Sequence, residues 1–343
     1  MTVRNIQCQS TIAALLSCKP EDSIIQMKEK TGREPETSVS FHLRVSMLDG
    51  GVTTGETLKG NEQWLLYDKV HIEELILPLP NRHCVSAQDA QYQLIDAYSE
   101  LLSRMFFIQV CGYTADSINS GKQNLTLQPI DYGFNKPTAP SSKRIIRPQG
   151  VMKDEDLTDP QHHSFSLDLI DKAVIHAKCA YHKIRPTYIN NRKFYVLYLH
   201  PTQVTQLRDN TDPDMWKHIQ NANEWMCLDE NHPLLEESLG IYNDVVLRQS
   251  VDVTNGVHSI NNTAVNDVRR AVLLGSQSVI MAFGRDYSFE NFSIKNYENP
   301  STVALETIIG MKKARFPIPY DPQDPPKDSQ DLATVVIPTY TPC

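Results

Sequence analysis

The chain of 343 residues is longer than a single hydrophobic core usually serves, so two or more packed units are expected. A net charge of −8 argues against a protein that grips nucleic acid over a broad face, which needs clustered Lys and Arg. With apolar residues at 40%, no stretch approaches the roughly 18 uninterrupted apolar residues of a membrane-spanning helix.

The seven cysteines (Cys8, Cys18, Cys84, Cys111, Cys179, Cys227, Cys343) are odd in number, widely spaced and never paired as CxxC. Reduced thiols in a cytosolic setting are therefore expected, and a zinc site is disfavoured. The N-terminus has one early Arg and a short apolar patch without a small-residue cleavage pattern, which speaks against a secretory signal. The N-x-S/T triplets at Asn124, Asn261 and Asn291 are then chance matches.

In chain order, residues 1–36 hold two short helical patterns, at 11–18 and 22–30, each marginal unless docked. Residues 37–80 read as one long hairpin arm. Val39, Phe41, Leu43, Val45 and Met47 alternate with polar residues up to a turn at Asp49, Gly50 and Gly51. A polar tip containing Thr54, Gly55, Lys59, Gly60 and Glu62 follows, then a second β-like run from Trp64 to Leu79. A two-stranded hairpin is marginal by itself in water, so this arm must lie on something else.

A long amphipathic helix is expected next over 86–112, with Ser86 as N-cap and Asp89 three residues on. Leu94, Tyr98, Leu101, Met105 and Ile108 recur at three and four, Ile95, Leu102 and Phe106 widen the stripe, and Gly112 supplies the stop. Such a helix is a spine with partners on two sides. Residues 113–165 are loop-like, long enough to suggest a functional or intermolecular role. A second helix follows Ser166, with Leu167, Ile170, Val174, Ala177 and Tyr181 on one face, and ends before Arg185-Pro186.

Residues 194–199 read as a buried strand closed by His200-Pro201, 204–209 and 215–225 as short helices, and 241–253 as a strand. Residues 268–283 are apolar and fit strand or buried helix equally. Alternation resumes from 286 to 316, a proline-dense loop spans 317–326, and 333–337 is a last strand. Hairpin, helix, helix and then mixed elements indicate the α+β class, with no internal repeat.

Chemistry-bearing groupings are weak. His176, Cys179 and His182 are spaced so that one helix cannot present all three on a face. His162-His163 beside Asp159 fits a solvated pair better than a ligand set, and Gly275-Ser-Gln-Ser-Val does not fit a nucleophile elbow. Neither a phosphate-binding loop nor a usable carboxylate pair occurs, so no catalytic residue, metal or cofactor is expected. The basic groups at 143–147 and 312–315 are expected to form solvated or subunit-contact faces.

Several stretches, in this order and spacing, resemble the major capsid proteins of tailed bacteriophages with the HK97-like fold. They are Val39-Ser-Phe-His-Leu-Arg-Val-Ser-Met with Leu58-Lys-Gly-Asn-Glu62, Ala139-Pro-Ser-Ser-Lys-Arg-Ile-Ile146, Ile184-Arg-Pro with Tyr195-Val-Leu-Tyr-Leu-His-Pro201, Leu239-Gly-Ile-Tyr-Asn-Asp-Val-Val-Leu247, Arg269-Arg-Ala-Val-Leu-Leu-Gly-Ser-Gln-Ser278 and Ile309-Gly-Met-Lys-Lys313. The proline-rich 317–327 segment and the terminal Thr341-Pro-Cys343 depart from the pattern.

The resemblance implies an N-terminal arm over 1–36 and an extended loop over 37–82. It implies a peripheral domain over 83–186 and 286–320 with spine helix 86–112, and an axial domain over 187–285 and 321–343. It implies a homo-oligomer of hexamers and pentamers, with a portal protein and, in some shells, scaffolding and decoration proteins as partners. The shell would enclose dsDNA without sequence-specific binding, involve no membrane, and be made in the bacterial host cytoplasm. Competing readings are a cytosolic α+β enzyme, with a site built from the 113–165 loop and His200-Pro201, and a protein compartment of the same fold.

Overall fold

The computed structural model describes residues 12–17, 23–29, 37–45, 66–80, 87–116, 118–120, 123–222, 232–292, 302–318 and 328–342. In chain order the elements are β1 (Leu16–Ser17), β2 (Ile25–Glu29), β3 (Ser38–Leu43), β4 (Leu66–His71), β5 (Glu73–Pro80), α1 (Ala87–Val110), β6 (Ile118–Ser120), β7 (Gln123–Leu125), α2 (Leu167–Cys179), β8 (Thr187–Ile189) and β9 (Arg192–Leu199). They continue as α3 (Pro201–Asp209), α4 (Pro213–Gln220), β10 (Gly240–Tyr242), β11 (Val245–Gln249), β12 (Asn255–Val257), β13 (Ala264–Leu274), β14 (Val279–Phe292), β15 (Thr302–Lys313), β16 (Arg315–Ile318), β17 (Asp328–Asp331) and β18 (Thr334–Tyr340).

Two larger sheets organise the molecule. The first runs β1-β2-β14-β15-β5, with β1, β2 and β14 parallel and β15 antiparallel to both β14 and β5. The second runs β10-β11-β9-β13-β12, with β8 added to β9 and β18 to β13. Helices and both strand orientations mix without a βαβ repeat, which is the expected α+β class.

Helix α1 joins the two sheets. Leu94, Leu101 and Met105 share a core with Met281, Leu305 and Ile309 of the first sheet. From Leu101 to Val110 only Arg104 stays exposed, so the helix passes from amphipathic to buried all round. At that end Phe106 and Phe107 meet Tyr198 of β9 edge to face, with ring centroids 6.4 and 5.2 Å away. The width of the apolar stripe in sequence had pointed to partners on two sides, and these are they.

Several local expectations change. Residues 25–29, read as helix, are strand β2, because β14 offers them a full parallel ladder while a helix this short has little stability of its own. The 11–18 pattern is a single 3-10 turn at Ala13–Leu15 followed by β1. The strand expected over 241–253 is a β10–β11 hairpin, turned by Asn243 and Asp244 at φ 46° and 62° as a type I′ turn requires. Tyr181, placed on the buried face of the second helix, lies beyond it and is 77% exposed.

The ambiguous 268–283 stretch is two strands in two sheets. β13 ends at Leu274, the turn 275–278 intervenes, and β14 begins in the other sheet at Val279. Gly275 allows that passage, since a Cβ there would sit 2.4 Å from the Arg185 carbonyl oxygen. The run from 64 to 79 also splits: β4 pairs with β3, and β5, just past Ile72, pairs with β15.

Candidate assembly site at the root of the hairpin arm

The β3–β4 ribbon is the described part of the arm, paired from Ser38↔His71 to Leu43↔Leu66. Alternation sends Val39, Phe41 and Leu43 to one face, and all three are buried, as is Val70 opposite Val39. They share a core with Ile280, Ala282, Phe316 and Leu332 of the same chain. For the described ribbon, what the arm lies on is the body of its own chain, with cover from residues more than 200 positions downstream.

Polar contacts fasten the ribbon. Gln277, in the turn between the sheets, accepts the Arg44 N–H at 3.0 Å and donates to the His42 carbonyl at 3.1 Å. Asn135 accepts the His71 N–H at 2.9 Å and donates to the His71 carbonyl at 2.8 Å. Asp68 pairs with Lys312 at 2.5 Å and accepts the Arg315 N–H at 3.3 Å. Lys28 of β2 donates to the Ser40 carbonyl at 2.9 Å. Where β4 crosses β15 the backbones nearly touch, and a Cβ on Gly310 would lie 2.0 Å from the His71 oxygen.

Two buried ionic junctions lock the body beneath. Asp154, 1% exposed, takes Arg147 at 2.7 Å on one oxygen and Arg270 at 2.6 Å on the other. Arg270 also donates to the Cys111 and Gly112 carbonyls at the end of α1, so the loop, the spine helix and β13 meet on one carboxylate. Burial alone would raise the Asp154 carboxyl, but the Arg270 and Arg147 guanidiniums outweigh it and hold it below the usual carboxylate range. In the second junction Asp331 receives Lys313 at 3.0 Å and Arg315 at 3.1 Å. Burial lowers the Lys313 ammonium despite Asp331 beside it.

These junctions revise two expectations. Arg144 and Lys313, read as parts of solvated or subunit-contact faces, are buried inside the chain. The loop after α1, read as functional or intermolecular because of its length, supplies Ser141, Arg144, Arg147 and Asp154 to contacts within the subunit.

Of the residues singled out from sequence, Leu94, Tyr98, Leu101 and Met105 are buried in the core that α1 shares with the first sheet. Ile108 packs in a separate small cluster with Tyr113, Ala115 and Val257. Asp49, Gly50 and Gly51, and Thr54, Gly55, Lys59, Gly60 and Glu62, lie outside the described residues. Gln277 and Gly310 fall within stretches that carry the resemblance, but neither they nor Asn135 has a role legible there. The only signal was a glycine inside a strand pattern, which marks a close backbone approach.

No group of three or more His, Cys, Asp or Glu suited to a metal ion occurs among the described residues. His176 and Cys179 line a shallow surface depression with Ile146, Lys172, Ile175 and Ala180. His182 turns away to meet Phe316 edge on, ring centroids 4.8 Å apart. Burial, with Arg144 nearby, lowers the basicity of both His176 and His182. His162 bonds Asp159 at 2.6 Å in an exposed loop. His200, central to the enzyme reading, caps α3 by accepting the Thr202 N–H at 3.3 Å.

The family model for phage capsid proteins matches residues 3–343. No curated protein matches the chain. Among solved structures, the capsid of Ralstonia phage GP4 superposes with a TM-score of 0.75 at 23% identity, covering 97% of this chain and 92% of that one. The capsid of cyanophage Pam1 gives 0.61 at 18%, covering 97% and 92%. The head of Helicobacter pylori bacteriophage KHP40 gives 0.57 at 14%, covering 97% and 91%.

Proposed function

The chain belongs to the phage capsid protein family, and from that premise we propose how its parts divide the work of building a shell. It is a major capsid protein of a phage head, with a structural rather than enzymatic role in the virion and an HK97-like fold. Building a shell means binding further copies of itself.

In our reading the five-stranded sheet with α1 is the peripheral domain and the seven-stranded sheet is the axial domain facing the capsomer centre. We place their division at the turn 275–278, ahead of the 285/286 boundary read from sequence. The sequence-based extents 37–82 and 1–36 shrink in this reading, because β1, β2 and β5 belong to the peripheral sheet: the extended loop is the β3–β4 ribbon and the segment between its strands, which reaches a neighbouring subunit, and the residues ahead of β1 reach another. Hexamers and pentamers of the chain, joined by a portal protein and, where present, scaffolding and decoration proteins, enclose dsDNA. The net charge of −8 suits a wall that DNA must slide past during filling.

The observation that carries this reading is the rooted β3–β4 ribbon. In our reading this base carries the segment that contacts the neighbouring subunit. Repeated around a lattice, such contacts become effectively intramolecular once the first has formed. Deleting residues 53–61 tests it. The subunit should fold with its normal melting transition, since the ribbon's cover lies outside the deletion, and should form no shells in negative-stain images. Regular particles from the deletion variant would refute the role given to the arm.

A further inference from the structure

The root of the ribbon is held by two primary amides that imitate a neighbouring strand. A carboxamide offers one acceptor and donors side by side, as a strand edge does. Gln277 engages the outer edge of β3 through His42 and Arg44. Asn135 engages the outer edge of β4 at His71, and its amide also donates to the Gly133 carbonyl at 2.9 Å. His71 pairs with Ser38, four residues before His42, so the grips lie about 13 Å apart along the ribbon at ~3.3 Å per residue. Two grips on opposite edges, separated lengthwise, fix the direction of a ribbon as well as its position.

Gln277 does more than hold an edge. It sits at φ 60°, where glycine is the cheapest residue, yet carries a long side chain that is 1% exposed. The side chain is therefore what the position requires. Its amide donates to Gln26 Oε1 of β2 at 2.8 Å, and its own N–H donates to the Ser23 carbonyl at 2.8 Å. One residue thus ties the N-terminal strand, the arm and the turn between the two sheets.

We propose that Gln277 and Asn135 are positioning residues for shell assembly: they set the direction in which the β3–β4 ribbon leaves the body, and Gln277 couples that direction to the turn joining the two sheets. The proposal rests on the reading that the arm contacts a neighbouring subunit.

The test compares a Gln277→Gly, Asn135→Ala double variant with Gln206→Ala in the full chain. Glycine suits the positive φ, so the first change removes the grip without straining the backbone. Gln206 is a matched control away from the ribbon, accepting the Phe165 N–H at 3.2 Å and donating to the Tyr340 carbonyl at 2.9 Å. Hydrogen exchange at the amides of residues 40–44 and 66–71 in the unassembled subunit should rise about tenfold in the double variant and stay unchanged in the control. The yield of regular shells should fall about tenfold in the double variant alone. Regular shells at wild-type yield, unchanged ribbon exchange, or an equal loss in the control would overturn the proposal. Should the 53–61 deletion block assembly while the double variant assembles, the positioning role fails alone; should the deletion itself assemble, the arm reading fails with it.

Discussion

Replacing Asp154 by Asn isolates the junction that joins the spine helix to the second sheet. The change keeps shape and removes the charge facing two arginines, of which Arg147 is 16% and Arg270 5% exposed. Removing one partner of a buried ion pair leaves the other charge uncompensated and costs about 3–5 kcal/mol. At about 2 °C per kcal/mol for a large domain, the unassembled subunit should melt roughly 6–10 °C lower, followed by circular dichroism. Because the Asp154 carboxyl is held below its usual range, the ionised form contributes stability that is full above an unfolded value of about 4 and is lost as pH falls through the lower folded value. The variant should lack that acid-side loss. Adding Arg270→Met should restore part of the melting temperature, since it removes the more deeply buried of the two uncompensated charges. A single variant melting within 2 °C of wild type, or a double variant no better than the single, would refute the reasoning.

Gly310→Val should push β4 off β15 at His71, costing roughly 1–3 kcal/mol as a lower urea midpoint, and should reduce shell yield along with it. Burial, with the Arg269 cation nearby, pushes His200 down to about 4, so stability should be full above an unfolded value of about 6.5 and decline as pH falls from there toward 4. His200→Asn keeps a capping acceptor for α3 and should flatten that decline; equal urea midpoints for wild type at pH 7.5 and pH 5 would contradict the assignment.

Much of the secondary structure could be read locally because its causes are local. The three-and-four spacing of Leu94, Tyr98, Leu101 and Met105 makes α1 whatever surrounds it, and the alternation of Val39, Phe41 and Leu43 makes β3. The misread pieces owe their state to distant partners. Ile25 to Glu29 have a weak helical pattern, and the five-residue ladder with β14, about 250 residues away, turns them into a strand. The apolar run through Gly275 contains no periodic mark of the place where one sheet ends and another begins.

The root of the arm was hidden for a related reason. Gln277 and Asn135 are ordinary polar residues in turn-like sequence, and their value lies in the backbone groups they meet, 235 residues away at His42 and 64 residues away at His71. The buried charges were misread because clustered Lys and Arg look the same in sequence whether water or a carboxylate faces them. Asp331 lies 18 residues from Lys313 and far from Arg144, beyond any local window.

The parallel pairing of β2 with β14 also sets a clock. The partners are separated by roughly 250 residues, so the first sheet cannot close until nearly the whole polypeptide has left the ribosome. At ~5–20 residues per second that delay is about 10–50 s, during which β2 has only the two-residue pairing with β1. Ladders of such long sequence separation also form slowly once the chain is free. A nascent chain therefore has no finished subunit body to offer its neighbours, and lattice growth draws only on completed, released molecules.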